Sequence, residues 1–319
     1  MTLTKTQTNA AAKVAQAILD ETQKVIVGKT ESIRHATYGL LAGGHCIFED
    51  VPGLAKTMLV KTLARVTGLD FHRIQFTPDL LPADISGSYI YNMKEQKFEL
   101  RKGPIFAQIV LADELNRAPP KTQSALREAM PEKQVTLEGT THKLPDPFFV
   151  YATQNPIESE GVYSLPEAEL DRFMMRISMG YPTVEEEVHV LDRIENWDGS
   201  DPKIKAVATP TKLKEVQKTV RHVFIHPDLK QYIVQIVHAT RADERVLHGS
   251  SPRGSIAVMA LCKAAAIMDG RSHAIDDDVK DVAKIALSHR IILRPEAQAR
   301  GATAEEIVDQ ALATVPTPK

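Results

Sequence analysis

Glu49-Asp50-Val51-Pro52-Gly53-Leu54-Ala55-Lys56-Thr57 sets a lysine and a hydroxyl residue directly behind a short loop. The phosphate-cradling pattern G-x-x-x-x-G-K-[ST] would have glycine where Asp50 and Ala55 stand. Such a cradle works through its backbone: successive N–H groups at a helix N-terminus converge on oxygens, and the helix dipole favours the anion. Gly53 is retained, Lys56 can reach the β and γ phosphates, and Thr57 can ligate Mg²⁺. Ala55 is expected to be tolerated with a negative φ, and the Asp50 carboxylate to turn outward at the end of a strand. Taken alone, the stretch fits an ordinary strand, turn and helix equally well.

Two further stretches bear on the choice. Ile109-Val110-Leu111-Ala112-Asp113-Glu114 is an apolar run that ends in adjacent carboxylates. One can hold Mg²⁺ through water while the next polarises an attacking water. Phe148-Phe149-Val150-Tyr151-Ala152 runs into Thr153-Gln154-Asn155-Pro156, whose Asn155 amide can orient that water. Solvated acids and an Asn-Pro turn would explain each stretch singly. Three strand ends carrying groups for phosphate, metal and water are much harder to obtain by accident together.

The elements that must position these groups are legible in outline. Ala15, Ile18, Leu19 and Val25 share a helical face that Gly28 stops, and Glu31 to Leu41 form a second helix ended by Gly43-Gly44. His45 to Phe48 form a strand that enters the loop, and Met58, Leu59, Thr62, Leu63 and Val66 a helix face that leaves it, up to Gly68. The runs at 109–112 and 148–152 are buried strands, which implies an open α/β sheet with its chemistry at the carboxyl ends. Lys121 to Met130 reads as a helix, and Gln134 to Leu137 with Thr141 to Leu144 as a hairpin turning at Glu138-Gly139. From Thr209 the pattern is helical only, with segments at Leu213–Val223, Leu229–Ala242, Pro252–Met268 and Asp276–His289. The polar stretch 197–202 is a natural linker, which predicts a core over 1–200 and a helical domain over 201–319.

Whole-chain properties exclude several classes. The 319 residues exceed one typical domain, and 43% hydrophobic with 25% charged residues is the composition of a globular chain. A net charge of −2 supplies no global pull toward nucleic acid, although a locally basic pore lining is compatible with it. Cys46 and Cys262, the only two cysteines, make neither a disulfide framework nor a metal knuckle and suit a reducing compartment. With neither a signal-like apolar stretch at the N-terminus nor a run long enough for a bilayer, the expected location is the cytoplasm. His222 and His226 lie four apart, but Pro227 and the lack of nearby acids or cysteines make partly buried histidines the better reading than a metal pair.

In order along the chain, EDVPGLAKT, LADELNRAPP, ATQNP, LDRF and SPRG resemble the MoxR family of AAA+ ATPases, nearly from end to end. The family is similar in accepting alanine before the loop lysine. The resemblance implies a P-loop NTPase αβα core with a parallel sheet followed by an all-helical AAA+ lid. It further implies ATP and Mg²⁺ as ligands, with Lys56 and Thr57 as the Walker A pair, Asp113 and Glu114 as Walker B, and Asn155 as sensor 1. Pro52, Gly53, Leu54, Ala55, Lys56, Thr57 and Met58 would hold the nucleotide, with Val27 and Gly28 at the adenine unless Ile26-Val27-Gly28 is a plain loop. Thr57 and Asp113 would hold the metal.

Arg172 in LDRF would be an arginine finger given to a neighbour, the alternative being a surface arginine in an ion pair. Arg253 in SPRG would be sensor 2, presented from a helix start with Ser251 as N-cap and Pro252 at the first helical position, serving its own or a neighbouring subunit. The hairpins at about 80–100 and 134–144 would match the helix-2 and pre-sensor insertions, facing a pore or lying plainly on the surface. The implied partners are further copies in a hexameric ring, a von Willebrand factor A domain protein, and clients that are remodelled, matured or loaded with metal. A nucleotide-gated scaffold with little turnover and a DNA-remodelling motor are the rival functions. The intact Glu114 and Arg172 argue against the first, and the near-neutral charge against the second.

Overall fold

The structure, a computed structural model, describes residues 3–155, 162–195 and 203–318. The stretch at 197–202, expected to be a linker, lies outside the described residues. In chain order, α1 (Lys5–Gln23) and α2 (Thr30–Ala42) precede β1 (Cys46–Glu49) and α3 (Lys56–Thr67). Then come β2 (Phe71–Gln75), α4 (Pro82–Ser86), the pair β3 (Gly87–Asn92) and β4 (Lys97–Lys102), and β5 (Ile109–Asp113). Helices α5 (Pro120–Gln123) and α6 (Ala125–Glu132) lead to the hairpin β6 (Gln134–Leu137) and β7 (Thr140–Lys143), then β8 (Phe149–Gln154). The core closes with α7 (Glu167–Leu170), β9 (Met175–Ile177) and α8 (Val184–Glu195).

The remainder is mostly helical, as its periodicity predicts. It comprises α9 (Pro210–Arg221), α10 (Pro227–Ala242), β10 (Val246–His248), α11 (Pro252–Met268) and α12 (Asp276–Leu287). After these follow β11 (Ile292–Leu293), α13 (Pro295–Ala299) and α14 (Ala304–Thr314). The small β10–β11 pair is the exception to the helix-only expectation.

Five parallel strands in the order β2-β5-β8-β1-β9 form the sheet. Each central strand is apolar on both faces because successive side chains alternate between two layers. Ile109, Leu111, Phe149 and Tyr151 join the core under α1, α2 and α3, while Val110, Ala112, Val150 and Ala152 join the opposite one with Leu126 and Met130 of α6. The first of these cores does not stop at the sheet. It continues without a break into Leu213, Leu261 and Val282 of the helical part.

Three local expectations change. Helix α1 ends at Gln23, so Val25 and Ile26 are buried from a turn rather than a helix face. The helix expected over 121–130 is two, α5 and α6, meeting at Ser124. Met58 lies off the buried face of α3 and is 45% exposed.

Candidate nucleotide site and arginine edge

The register brings the three strand ends side by side. Glu49 of β1 pairs with Gln154 of β8, and Ala112 of β5 pairs with Ala152 of β8, so the loop after β1, Asn155 and Asp113-Glu114 leave the sheet at one level. Strand β8 lies between the other two, which places Asn155 between the loop and the acids.

The loop is an open cradle. Gly53 has φ +87°, and a Cβ there would meet nothing within 4 Å, so its glycine answers a backbone requirement and the space beside it is free. Ala55 corrects an expectation: its φ is +57°, in the left-handed region, and not negative. Alanine holds this conformation at a cost of about 1–2 kcal/mol. No side chain caps α3, whose N-terminus faces this loop. Lys56 is buried, burial lowers its pKa, and its Nζ donates to the Asp50 carbonyl at 2.7 Å. The Asp50 carboxylate is taken up by the chain after β9, accepting from Ser178 Oγ at 2.8 Å and from the Met179 and Gly180 amides.

Thr57 Oγ1 lies 3.4 Å from Asp113 Oδ2, which joins the two expected metal-holding residues across the gap between α3 and β5. The donors are hard oxygens, the set that suits Mg²⁺. A cation already neutralises this carboxylate, because the Arg73 guanidinium sits 2.7 Å from the same Oδ2. Thr153 Oγ1 donates to the other oxygen at 2.6 Å and accepts from the Glu114 amide at 2.8 Å, tying the two acids to β8. Glu114 itself has φ +55°, a strained position, and its carboxylate is held by Gln75 at 2.5 Å and Arg117 at 3.3 Å. Asn155 is buried, and its carbonyl accepts from Asn116 Nδ2 at 3.3 Å.

The two arginines are elsewhere, and together. Arg172 lies three residues before Met175, which pairs with Cys46 at the start of β1. Because the strands are parallel, Lys56 and the Arg172 backbone lie beyond opposite ends of β1, about 10 Å of strand apart at ~3.3 Å per residue. Arg253 Nη1 contacts Asp171 at 3.3 Å, and Ser251, the N-cap of α11, donates to the same carboxylate at 3.1 Å. The buried Arg290 grips Asp171 Oδ1 at 2.9 Å and also donates to the Phe173 carbonyl at 2.6 Å. Burial lowers the Arg290 pKa, and Asp171 opposes that shift. Arg172 has no side-chain partner among the described residues, and its Nε is buried without an acceptor. Among the described residues, then, no ion pair holds the Arg172 side chain.

The AAA family description, "ATPase family associated with various cellular activities", matches residues 45–175, and "AAA lid domain" matches 238–311. Chaperone MoxR1 of Mycobacterium tuberculosis is 42% identical over 94% of this chain and 81% of its own length. The chain belongs to the MoxR family of AAA+ ATPases. Protein MoxR of Methylorubrum extorquens is 26% identical over 93% of each chain, and YeaC of Bacillus subtilis 48% identical over 94% of this chain and 93% of its own. A crystal structure from Cytophaga hutchinsonii, provisionally described as an ATPase, superposes with a TM-score of 0.91 at 42% identity, covering 98% of this chain and 97% of its own.

For a MoxR chain, the residues missed from sequence are the ones that hold the expected residues in place. Arg73 and Gln75 lie on β2, a strand whose mixed composition gives no apolar signal. Arg290 sits in a single turn after α12, where no periodicity marks it. Thr153 was visible as part of the strand end but its bond to Asp113 was not. His222 ends α9 and His226 caps α10, so the pair does not share a helix. Among the described residues, no helix is long and apolar enough to cross a membrane.

Proposed function

We propose that this MoxR chain is a Mg²⁺-dependent ATPase subunit of a hexameric cytoplasmic ring, with a core over 1–200 and a lid over 201–319, whose turnover remodels or matures client proteins. The observation that carries the reading is the approach of Thr57 to Asp113 at 3.4 Å beside an open, uncapped helix start. Lys56 would leave the Asp50 carbonyl for the β and γ phosphate oxygens, with the backbone of Pro52 to Thr57 around them and Met58 alongside. Thr57 and Asp113 would hold Mg²⁺, which when bound adds positive charge at the phosphate oxygens. Glu114 polarises the attacking water, and Asn155 orients it. Val27 and Gly28 would take the adenine.

Arg172 and Arg253 are read as groups given to the neighbouring subunit. Their position beyond the far end of β1 supports this, and so does the unpaired Arg172 Nε, since a buried donor without an acceptor is costly until something completes it. The hairpin β3–β4 offers a surface for clients: Tyr91, Met93 and Phe98 are 52%, 84% and 69% exposed at its tip. A von Willebrand factor A domain protein is the expected adaptor.

The reading is tested by calorimetry and phosphate release. Lys56→Ala should weaken Mg-ATP binding about a hundredfold, since a charge-assisted contact to phosphate is lost. Glu114→Gln should bind normally and lose turnover by at least about a hundredfold. Unchanged binding in the first variant refutes the cradle, and near-normal turnover in the second moves the base elsewhere.

A further inference from the structure

Asp50 stands where the phosphate-loop pattern has its first glycine, and its two polar ends face different ways. Its carbonyl receives Lys56 at 2.7 Å, inside the loop. Its carboxylate receives Ser178, Met179 and Gly180, the segment that leaves β9 for α8. Gly180 adopts φ +62°, a turn that presents its amide beside that of Met179 to one carboxylate.

Helix α8 in turn lies against the loop between α1 and α2. Glu186 accepts from the Lys29 amide at 3.4 Å and pairs with Lys29 Nζ at 3.4 Å. Lys29 Nζ also donates to the Tyr181 carbonyl at 2.6 Å, and Arg193 donates to the Val25 carbonyl. A Cβ on Gly28 would lie 2.1 Å from Glu186 Oε1, so glycine is what lets the carboxylate rest on this loop. None of the α8 side chains is buried; these polar contacts hold it.

We propose that Asp50 is a positioning residue for the base end of the nucleotide site: by anchoring 178–180 it sets α8, and α8 sets the Val27-Gly28 loop. The inference rests on the nucleotide reading above and deepens it. Removing the anchor loosens contacts at the base while leaving the backbone cradle of the phosphates in place. A residue needed only for general stability would weaken both ends alike.

Mg-ATP and inorganic tripolyphosphate separate the two ends, because both carry a triphosphate and only one carries a base. The change of charge at residue 50 enters both dissociation constants and largely cancels in their ratio. In the full-length protein, Asp50→Asn and, independently, Glu186→Ala should each reduce the preference for ATP over tripolyphosphate by about tenfold, the scale of one charge-assisted hydrogen bond. Discrimination between ATP and GTP should fall with it. Glu186 lies at the surface, so its variant answers the question even if Asp50→Asn does not fold. An unchanged ratio in Glu186→Ala, or in a folded Asp50→Asn, overturns the proposal. Failure of the wild-type chain to bind tripolyphosphate at all would instead refute the phosphate cradle.

Discussion

At the ends of β5, β8 and β1, Thr57, Asp113, Thr153 and Glu114 find partners within one subunit, whereas at the edge before β9 the partners run out at Arg172. The first region is a set of acids and hydroxyls restrained by cross-strand bonds, with open space beside Gly53. The second is a cluster of positive charge gathered around a single carboxylate, Asp171, that is shared by Arg253, Arg290 and Ser251. The first keeps an opening beside its loop and the second an unpaired donor, which are the features that the proposed roles of ligand site and contributed group need.

The sharpest way to break this contrast is to damage each region separately and then mix. Arg172→Ala and Glu114→Gln should each lower turnover about a thousandfold with binding retained, the scale of an arginine finger or a catalytic base. In mixed rings an Arg172→Ala subunit keeps its own Glu114 and borrows Arg172 from its neighbour, which repairs roughly one interface in four at equal random mixing. Phosphate release should reappear on mixing. If wild-type subunits turn over when diluted into either variant, yet the two variants together stay silent, Arg172 does not act across an interface.

A smaller effect is expected from the residue that braces the edge. Arg290→Leu leaves Asp171 partly uncompensated and releases the Phe173 carbonyl, so thermal stability should fall by about 3 kcal/mol, as for other broken buried pairs. Binding of Mg-ATP should change less than twofold, since no strand end at the cradle is touched. A loss of binding comparable to the loss of stability would show that the two regions are not independent.

The smallest change should come from the cradle itself. Ala55→Gly removes a Cβ from a residue with φ +57° and should stabilise the chain by up to about 1 kcal/mol, with ATP affinity kept. Destabilisation in chemical denaturation would mean that the left-handed conformation at Ala55 is not strained.

Much of this contrast could be read before any coordinates. Apolar runs ending in Asp113-Glu114 and Asn155, and a lysine after a loop, are local signals, and they placed these residues at three neighbouring strand ends, where the structure has them. The sequence also placed Ser251 and Pro252 at a helix start, because caps are local too. What escaped depends on distant pairs. Nothing near Arg290 indicates that it will lie against Asp171, 119 residues earlier in the chain. Ala55 misled because side-chain preference favours negative φ, while the turn into α3 adopts the opposite. Strand β2 was invisible because it lies at the sheet edge, where Arg73 and Gln75 face the acids instead of the core.

The unbroken apolar core that joins the first helix to the last part of the chain has a consequence for synthesis. Ala11, Ala15 and Ile18 of α1 lie in the same core as Ala257, Leu261 and Ala265 of α11, and α1 packs on α11 directly. Helices α2 and α3, which follow α1 closely in the chain, cover part of its apolar face, but the part that meets α11 stays open until synthesis has passed residue 252. Contacts of such sequence separation form late and slowly. Chains stalled or truncated before residue 252 therefore leave the α11-facing part of α1 uncovered, and the nascent chain should depend on holding factors until α11 and the helices after it arrive.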